Sequence, residues 1–391
     1  MKWKQITSVA LAAAMAWFAG AAQAQDKGTV KVGLILPFTG PFTAIGRQVE
    51  SGLKLYMAQN GDTAAGKKVE IVVRDDGGNA DATKRLAQEL IVNDKVSIIA
   101  GFGLTPLAMA AAPIATQAKV PQIVMAAGTS AITEASPFIV RTSFTLPQSS
   151  VPIAEWAIKN GIKKVVTVVT DYGPGLDAEK WFTQSFTKGG GTTEALRMPL
   201  RSPDFAPFLQ KAADAKPDAI FVFVPAGQSA QFMKQYRERG LDKSGVKLIG
   251  PGDVTDDEVL NAMGDVALGV VTAHLYSASH DSPENKAYVE AFKKAYGMRP
   301  NFMSVGGYDG IHLIYEALKK TNGDTDGEKL VAAMKGMSWI SPRGPISIDP
   351  ETRDIIQNIY IREVKSVNGE LYNVEFATIP NLKDPAKAAK K

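Results

Sequence analysis

Four apolar runs in this 391-residue sequence end on residues that carry little bulk but can do chemistry. "ILPFTGPFTAIG" sets Phe38 and Phe42 on a turn rich in glycine and proline, and "AGFGLTP" brings Gly101 and Gly103 up to Thr105. "PQIVMAAGTS" runs out of side chains at Ala126, Ala127 and Gly128 before Thr129 and Ser130 supply two hydroxyls. "VTDYGPG" places Tyr172 among glycines. Small residues let backbone N–H groups approach a ligand closely, and a helix N-terminus adds free donors with partial positive charge. Threonine hydroxyls donate or accept, and aromatic rings make apolar walls. These groups suit a small carboxylate with an apolar body. One such loop could equally serve close strand–helix packing; four of them favour a ligand cleft.

The residues of catalysis are scarce. The histidines are His274, His280 and His312, and no HExxH or other paired spacing joins them. There is no G-x-S-x-G elbow and no Walker A loop, and "GFGLTP" lacks the third glycine of a dinucleotide loop. Asp75-Asp76 before "GGN" lacks the spacing of a calcium loop and reads as a strand-end turn and helix cap. With no cysteine in the chain, thiolate metal sites and cysteine nucleophiles are excluded. The expectation is a non-enzyme with no catalytic residue, no metal and no cofactor. The rival from another class is a secreted hydrolase, which needs a nucleophile–base pair.

The elements that position these loops alternate. "TVKVGLIL", "KVEIVVRDD", "VSIIAGF" and "QIVMAA" read as strands, separated by helices such as "AIGRQVESGLKLYMAQNG" and "ADATKRLAQELIVND". The strands are apolar on both sides, as parallel strands covered by helices are, and the alternation implies right-handed βαβ units. The pattern restarts after about residue 150, with strands "KKVVTVVT", "AIFVFV", "VKLIG" and "LGVVTAH". The fold expected is α/β, with two doubly wound parallel-sheet lobes and a ligand cleft between them. Thr105-Pro106, Ser202-Pro203 and Ser282-Pro283 each place a capping hydroxyl before proline, and Thr255 to Glu258 has capping-box spacing.

Composition narrows the class. Residues 1–24 carry Lys2 and Lys4, a short apolar run and Ala22-Gln23-Ala24, which together describe a secretory signal peptide cleaved after Ala24. The formal net charge is +4, so losing Lys2 and Lys4 leaves +2. The tail at 379–391 alone contributes +3, and it reads as a solvated, frayed end. A nearly neutral body offers no concentrated basic patch for nucleic acid.

The ordered segments "VKVGLILPFTGPFTAIGRQVESGLKL", "RDDGGNADATKRLAQELIVNDKVSIIAG", "VTDYGPG", "SPDFAPFL", "AFKKAYGMRPN", "GYDGIHL" and "SPRGPISID" resemble the periplasmic solute-binding proteins of ABC transporters, in particular the leucine/isoleucine/valine-binding class. The resemblance covers nearly the whole mature chain. It implies a three-crossing hinge, with crossings near Phe144, His274 to Ser277 and Ser341 to Ile348. Residues 26–143 and 275–342 would then form lobe 1, and 144–274 and 343–378 lobe 2. It also implies a periplasmic monomer whose partners are a small carboxylate and a membrane permease; a sensory or chemotaxis role is the alternative.

By matching motifs, Thr105 aligns with a hydroxyl that binds the ligand carboxylate, Ala127 with a backbone carbonyl contact and Thr129 with a hydroxyl and N–H contact. Gly103 and Gly128 sit in the same loops. Phe42 and Ile45 align with the side-chain pocket and Tyr172 with a tyrosine that covers the ligand. Amino-acid binders of the class show an acid in a "GPE"-like turn, paired with the α-ammonium group. This sequence has "GPGD", with Gly252 at the matching position and Asp253 after it. Both an α-amino acid and an aromatic or other apolar acid therefore stay open.

Overall fold

The computed structural model describes residues 28–201 and 204–388. The signal peptide and the Ser202-Pro203 cap lie outside the described residues. The first half runs β1 (Thr29–Leu36), α1 (Thr43–Asn60), β2 (Thr63–Ala64), β3 (Lys67–Asp75), α2 (Ala80–Val92), β4 (Ile98–Gly101), α3 (Thr105–Ala118), β5 (Gln122–Val124) and β6 (Ile139–Arg141). It continues with α4 (Leu146–Lys159), β7 (Lys164–Thr170), α5 (Gly173–Lys188), β8 (Thr192–Met198), α6 (Ala206–Asp214), β9 (Ala219–Phe223), α7 (Ser229–Glu238), β10 (Lys247–Pro251), α8 (Leu260–Met263) and β11 (Val271–His274). The last part holds α9 (Pro283–Tyr296), α10 (Phe302–Lys320), α11 (Gly327–Met334), β12 (Ser338–Ser341), β13 (Gly344–Ile348), β14 (Ile355–Val367), β15 (Glu370–Leu382) and α12 (Pro385–Ala388). Among the described residues, no helix is long and apolar enough to cross a membrane.

Strand order in the first sheet is β2-β3-β1-β4-β5-β6, with every pair parallel except β2 to β3. β1 shows why. Val30, Val32, Leu34 and Leu36 pack in one cluster and Ile35 in another, so helices cover both faces. Ile45, Val49, Leu53 and Tyr56 form the buried stripe of α1, at the spacing of one helical face. The chain then leaves for the second lobe and comes back. Tyr315 on α10 donates its hydroxyl to Gly61 O at 2.8 Å, fixing the returning helix beside the end of α1.

The second sheet is mixed rather than wholly parallel. β8, β7, β9, β10 and β11 run parallel, while β14 lies antiparallel to β11, β13 and β15. β12 pairs with β13 in this sheet, so the chain re-enters the second lobe by Ser338, ahead of the expected boundary at 342. β15 carries that lobe to Leu382, past the expected 378. At the hinge, buried Arg343 pairs with Asp309 on α10 at 2.7 Å and donates to Ser143 O at 2.9 Å, tying two crossings together.

The C-terminal segment differs most from expectation. Asp384 accepts the Ser130 hydroxyl, and Lys387 meets Thr133 and Asp354 in a buried cluster. Charge composition suggested a frayed end, but the partners that bury these side chains come from remote parts of the chain. Capping also departs in two places. Thr105 is the first residue of α3 and bonds no backbone there; Leu104 precedes it at the cap. Residues 252–255 form a short 3-10 turn, so the capping box at Thr255 is absent. Ser282 does cap α9, accepting from Asn285 N at 3.1 Å.

Candidate functional site

A tight cavity of about 20 Å3, room for about one ordered water molecule, lies between the lobes. The first lobe contributes Ile45, Gly103, Leu104, Thr105 and residues 126–128; the second contributes Tyr172, Pro174, Phe223, Pro225, Ala226 and Asp253. Phe144 and Leu146 from the first crossing and Met303 from α10 complete the wall. Seven of the ten residues singled out from the sequence are therefore together: Ile45, Gly103, Thr105, Ala127, Gly128, Tyr172 and Asp253.

Two helices begin at this cavity, α3 at Thr105 and α5 at Gly173, one from each lobe. Their N-termini place unpaired N–H groups and partial positive charge where an anion would sit. Thr105 Oγ1 and Thr129 Oγ1 lie 2.7 Å apart. A hydroxyl has one proton to give, so when one donates to its neighbour the second remains free to donate outward. The Ala127 N–H is taken by Phe102 O at 3.1 Å and that of Ser130 by Asp177 Oδ2 at 2.8 Å. Among the described residues, the N–H groups of Gly128 and Thr129 between them have no such bond. Gly128 lines the cavity, so a carboxylate there could use its N–H.

Three expected site residues take other positions. Phe42 precedes α1 and is fully buried in the first-lobe core, away from the cavity wall. Thr129 stands behind the wall and reaches it through the Thr105 hydroxyl. The Ala127 carbonyl, expected to contact ligand, accepts the Ser143 hydroxyl at 3.0 Å.

Gly252 also stands off the cavity wall, and its surroundings explain the "GPGD" turn. A Cβ there would lie 2.0 Å from Arg362 Nη2 and 2.5 Å from His274 Cγ. No acidic side chain fits at 252 while Arg362 fills that space. The guanidinium donates to Gly252 O at 3.0 Å and to Thr272 Oγ1 at 3.0 Å.

Asp253 does face the cavity. Its side chain is buried, and its Oδ2 has no hydrogen-bond partner. Burial pushes its carboxyl up to about 8; its own backbone N–H opposes this, Asp256 adds to it, and Arg362 opposes it. At neutral pH Asp253 is therefore largely a neutral acid, able to donate as well as accept. Burial, with the Asp253 carboxyl beside it, drives the Tyr172 hydroxyl well above its ordinary value. The Tyr172 ring stacks on Phe223, with centroids 6.1 Å apart and planes at 27°.

Among the described residues, none of the three histidines is hydrogen-bonded to a nucleophile. His274 packs edge-on against Phe302 at 4.4 Å and Phe144 at 5.5 Å. His280 bonds Glu375 at 2.8 Å, and His312 lies against Trp339 at 4.8 Å.

Phe223, Pro225 and Ala226 were legible in principle, since "VFVPAG" is a fifth strand that ends on small residues. Phe144 and Met303 carry no local signal and reach the cavity only through the hinge and the returning helix.

Residues 29–370 match the family model of the periplasmic binding protein. The Leu/Ile/Val-binding protein homolog 6 of Brucella abortus (strain 2308) is 48% identical over 382 residues, 96% of this chain and 98% of that protein. A crystal structure of an ABC-transporter solute-binding protein from Rhodopseudomonas palustris BisB5, in complex with 3,4-dihydroxy benzoic acid, is 67% identical with TM-score 0.91, covering 92% of this chain and 99% of that one. The solute-binding protein of R. palustris HaA2, in complex with p-hydroxybenzoic acid, is 46% identical with TM-score 0.90, covering 92% and 100%.

Proposed function

Because this chain belongs to the periplasmic binding protein family, we propose that it serves an ABC importer by capturing a small aromatic carboxylic acid between its lobes and delivering it to a membrane permease. The protein works in the periplasm after export, and its lobes close over the ligand. The observation that carries this reading is one cavity with two kinds of wall. Thr105 and Gly128 supply hydroxyl and N–H donors for a carboxylate, with Thr129 bonded to the Thr105 hydroxyl from behind, while Phe144, Tyr172 and Phe223 supply aromatic surface. The two R. palustris proteins bound to hydroxylated benzoic acids support it.

The name of the Brucella relative favours a branched-chain amino acid as the second reading. An α-ammonium group needs an ionised partner, however. Gly252 offers no side chain, and Asp253, whose carboxyl burial raises to about 8, would have to give up its proton against that burial to pair with the ammonium group. Micromolar capture corresponds to about −8 kcal/mol, within reach of a few charge-assisted hydrogen bonds and apolar burial.

In a thermal-shift screen of the mature protein, 4-hydroxybenzoate, 3,4-dihydroxybenzoate or benzoate is expected to raise the melting temperature, while leucine, isoleucine and valine leave it unmoved. A ligand at 100 times its Kd adds about 2.7 kcal/mol, enough to see. Stabilisation by the amino acids alone would overturn the aromatic reading. Thr129→Ala is expected to lower affinity for the acid that binds by about tenfold or more, read by calorimetry. Unchanged affinity would remove the hydroxyl pair from the site.

A further inference from the structure

Asp253 is an unusual group for an apolar part of a cavity. It is 2% exposed, Oδ2 is unpaired, and its neighbours on the second-lobe wall are Phe223, Pro225 and Ala226. Buried carboxyl oxygens ordinarily have partners. The protein could have spared itself the desolvation with an apolar residue of similar size. The nearby cation does not satisfy it either, because Arg362 is occupied by Gly252 O, Thr272 and Tyr276 O and lies beside Asp257. The partner of Oδ2 must therefore come from what fills the cavity. An alkyl group would leave it unpaired, whereas a neutral hydroxyl can donate to it or accept from it.

We propose that Asp253 is the specificity-determining residue for ring hydroxyls, holding the hydroxyl of an aromatic acid whose carboxylate lies at Thr105 and Gly128. This rests on the aromatic-acid reading above. A site built to hydrogen-bond a hydroxyl rejects the analogue that lacks it, because the protein group is then left buried and unpaired. Asp253 sets which benzoates are held, not whether benzoates are held.

The test is calorimetry of the full mature chain with 4-hydroxybenzoate and benzoate, reading the ratio of their affinities within each protein. The ratio is independent of how much of a variant folds. The unaltered protein is expected to prefer 4-hydroxybenzoate by at least about tenfold. Asp253→Leu is expected to bring the ratio to one or below, weakening 4-hydroxybenzoate and tightening benzoate. Asp253→Asn keeps a donor and an acceptor in place and retains a preference of the same sign. An unchanged ratio in Asp253→Leu overturns the proposal, as does equal affinity for both acids in the unaltered protein; in either case the aromatic-acid reading survives. If the unaltered protein binds neither acid, that reading falls, and the proposal with it.

Discussion

Replacing Asp354 with alanine is expected to cost about 3–5 kcal/mol of unfolding free energy and to weaken ligand binding at the same time. Asp354 is buried between two cations, Arg141 at 2.9 Å and Lys387, and it also accepts the Thr133 hydroxyl at 3.0 Å. The Arg141 side chain is fully buried and that of Lys387 nearly so. Removing the carboxylate strands both charges in a low-dielectric interior, and that penalty exceeds what the pair itself contributed. Binding follows because Arg141 also donates to Thr129 O at 2.7 Å and Phe144 O at 2.8 Å, holding both the hydroxyl loop and an aromatic wall. Urea unfolding measures the first effect and calorimetry the second. Adding Lys387→Met to Asp354→Ala is expected to recover part of the stability, since it removes one stranded charge. A single-variant loss under about 1 kcal/mol, or no recovery in the double variant, would contradict this account.

That cluster also marks the limit of what the sequence makes legible. The strand ends at Gly103, Ala127 and Tyr172 can be read because each is local: an apolar run, a loss of bulk and a helix start within a few residues. Parallel strands then bring such ends to one side of a sheet, so three local signals become one site. Lys387 and Asp354 share no local pattern. Their charges look solvated in sequence and become a buried hub only after the β14–β15 hairpin returns the tail to Ser130 and Thr133. Phe42 fails for the opposite reason. Both Phe42 and Ile45 were expected at the pocket, but the Phe42 ring, just ahead of α1, packs into the core and only Ile45 of the two lines the cavity. Gly252 could be placed at the family's acidic position, yet only Arg362, 110 residues away, explains why it is glycine. The site's donors were legible; the reasons for its exclusions were tertiary.

Gly173→Val is expected to weaken capture of the ligand by about five- to 150-fold while leaving the ligand-free protein nearly as stable as before. Gly173 opens α5 on the second lobe, and a Cβ there would sit 2.6 Å from Thr129 Oγ1 and 3.2 Å from Thr105 Cγ2, both on the first. The two extra methyls of valine reach past what a rotation of Thr129 could absorb, and Thr129 is already committed to Thr105 at 2.7 Å. Overpacking of this kind costs about 1–3 kcal/mol, which at 1.4 kcal/mol per decade is roughly a five- to 150-fold change in affinity. The direction of relief makes the result specific. A clash within one lobe would destabilise that lobe with or without ligand, whereas a clash between lobes vanishes when they separate. The cost is then charged only to the state in which they meet. Titration of 4-hydroxybenzoate by calorimetry should show the loss, and the melting temperature without ligand should move by no more than about 2 °C. If the ligand-free protein melts much earlier, the contact is part of the ground-state fold rather than of closure. If affinity is unchanged, the lobes do not come together at Gly173 when ligand is held.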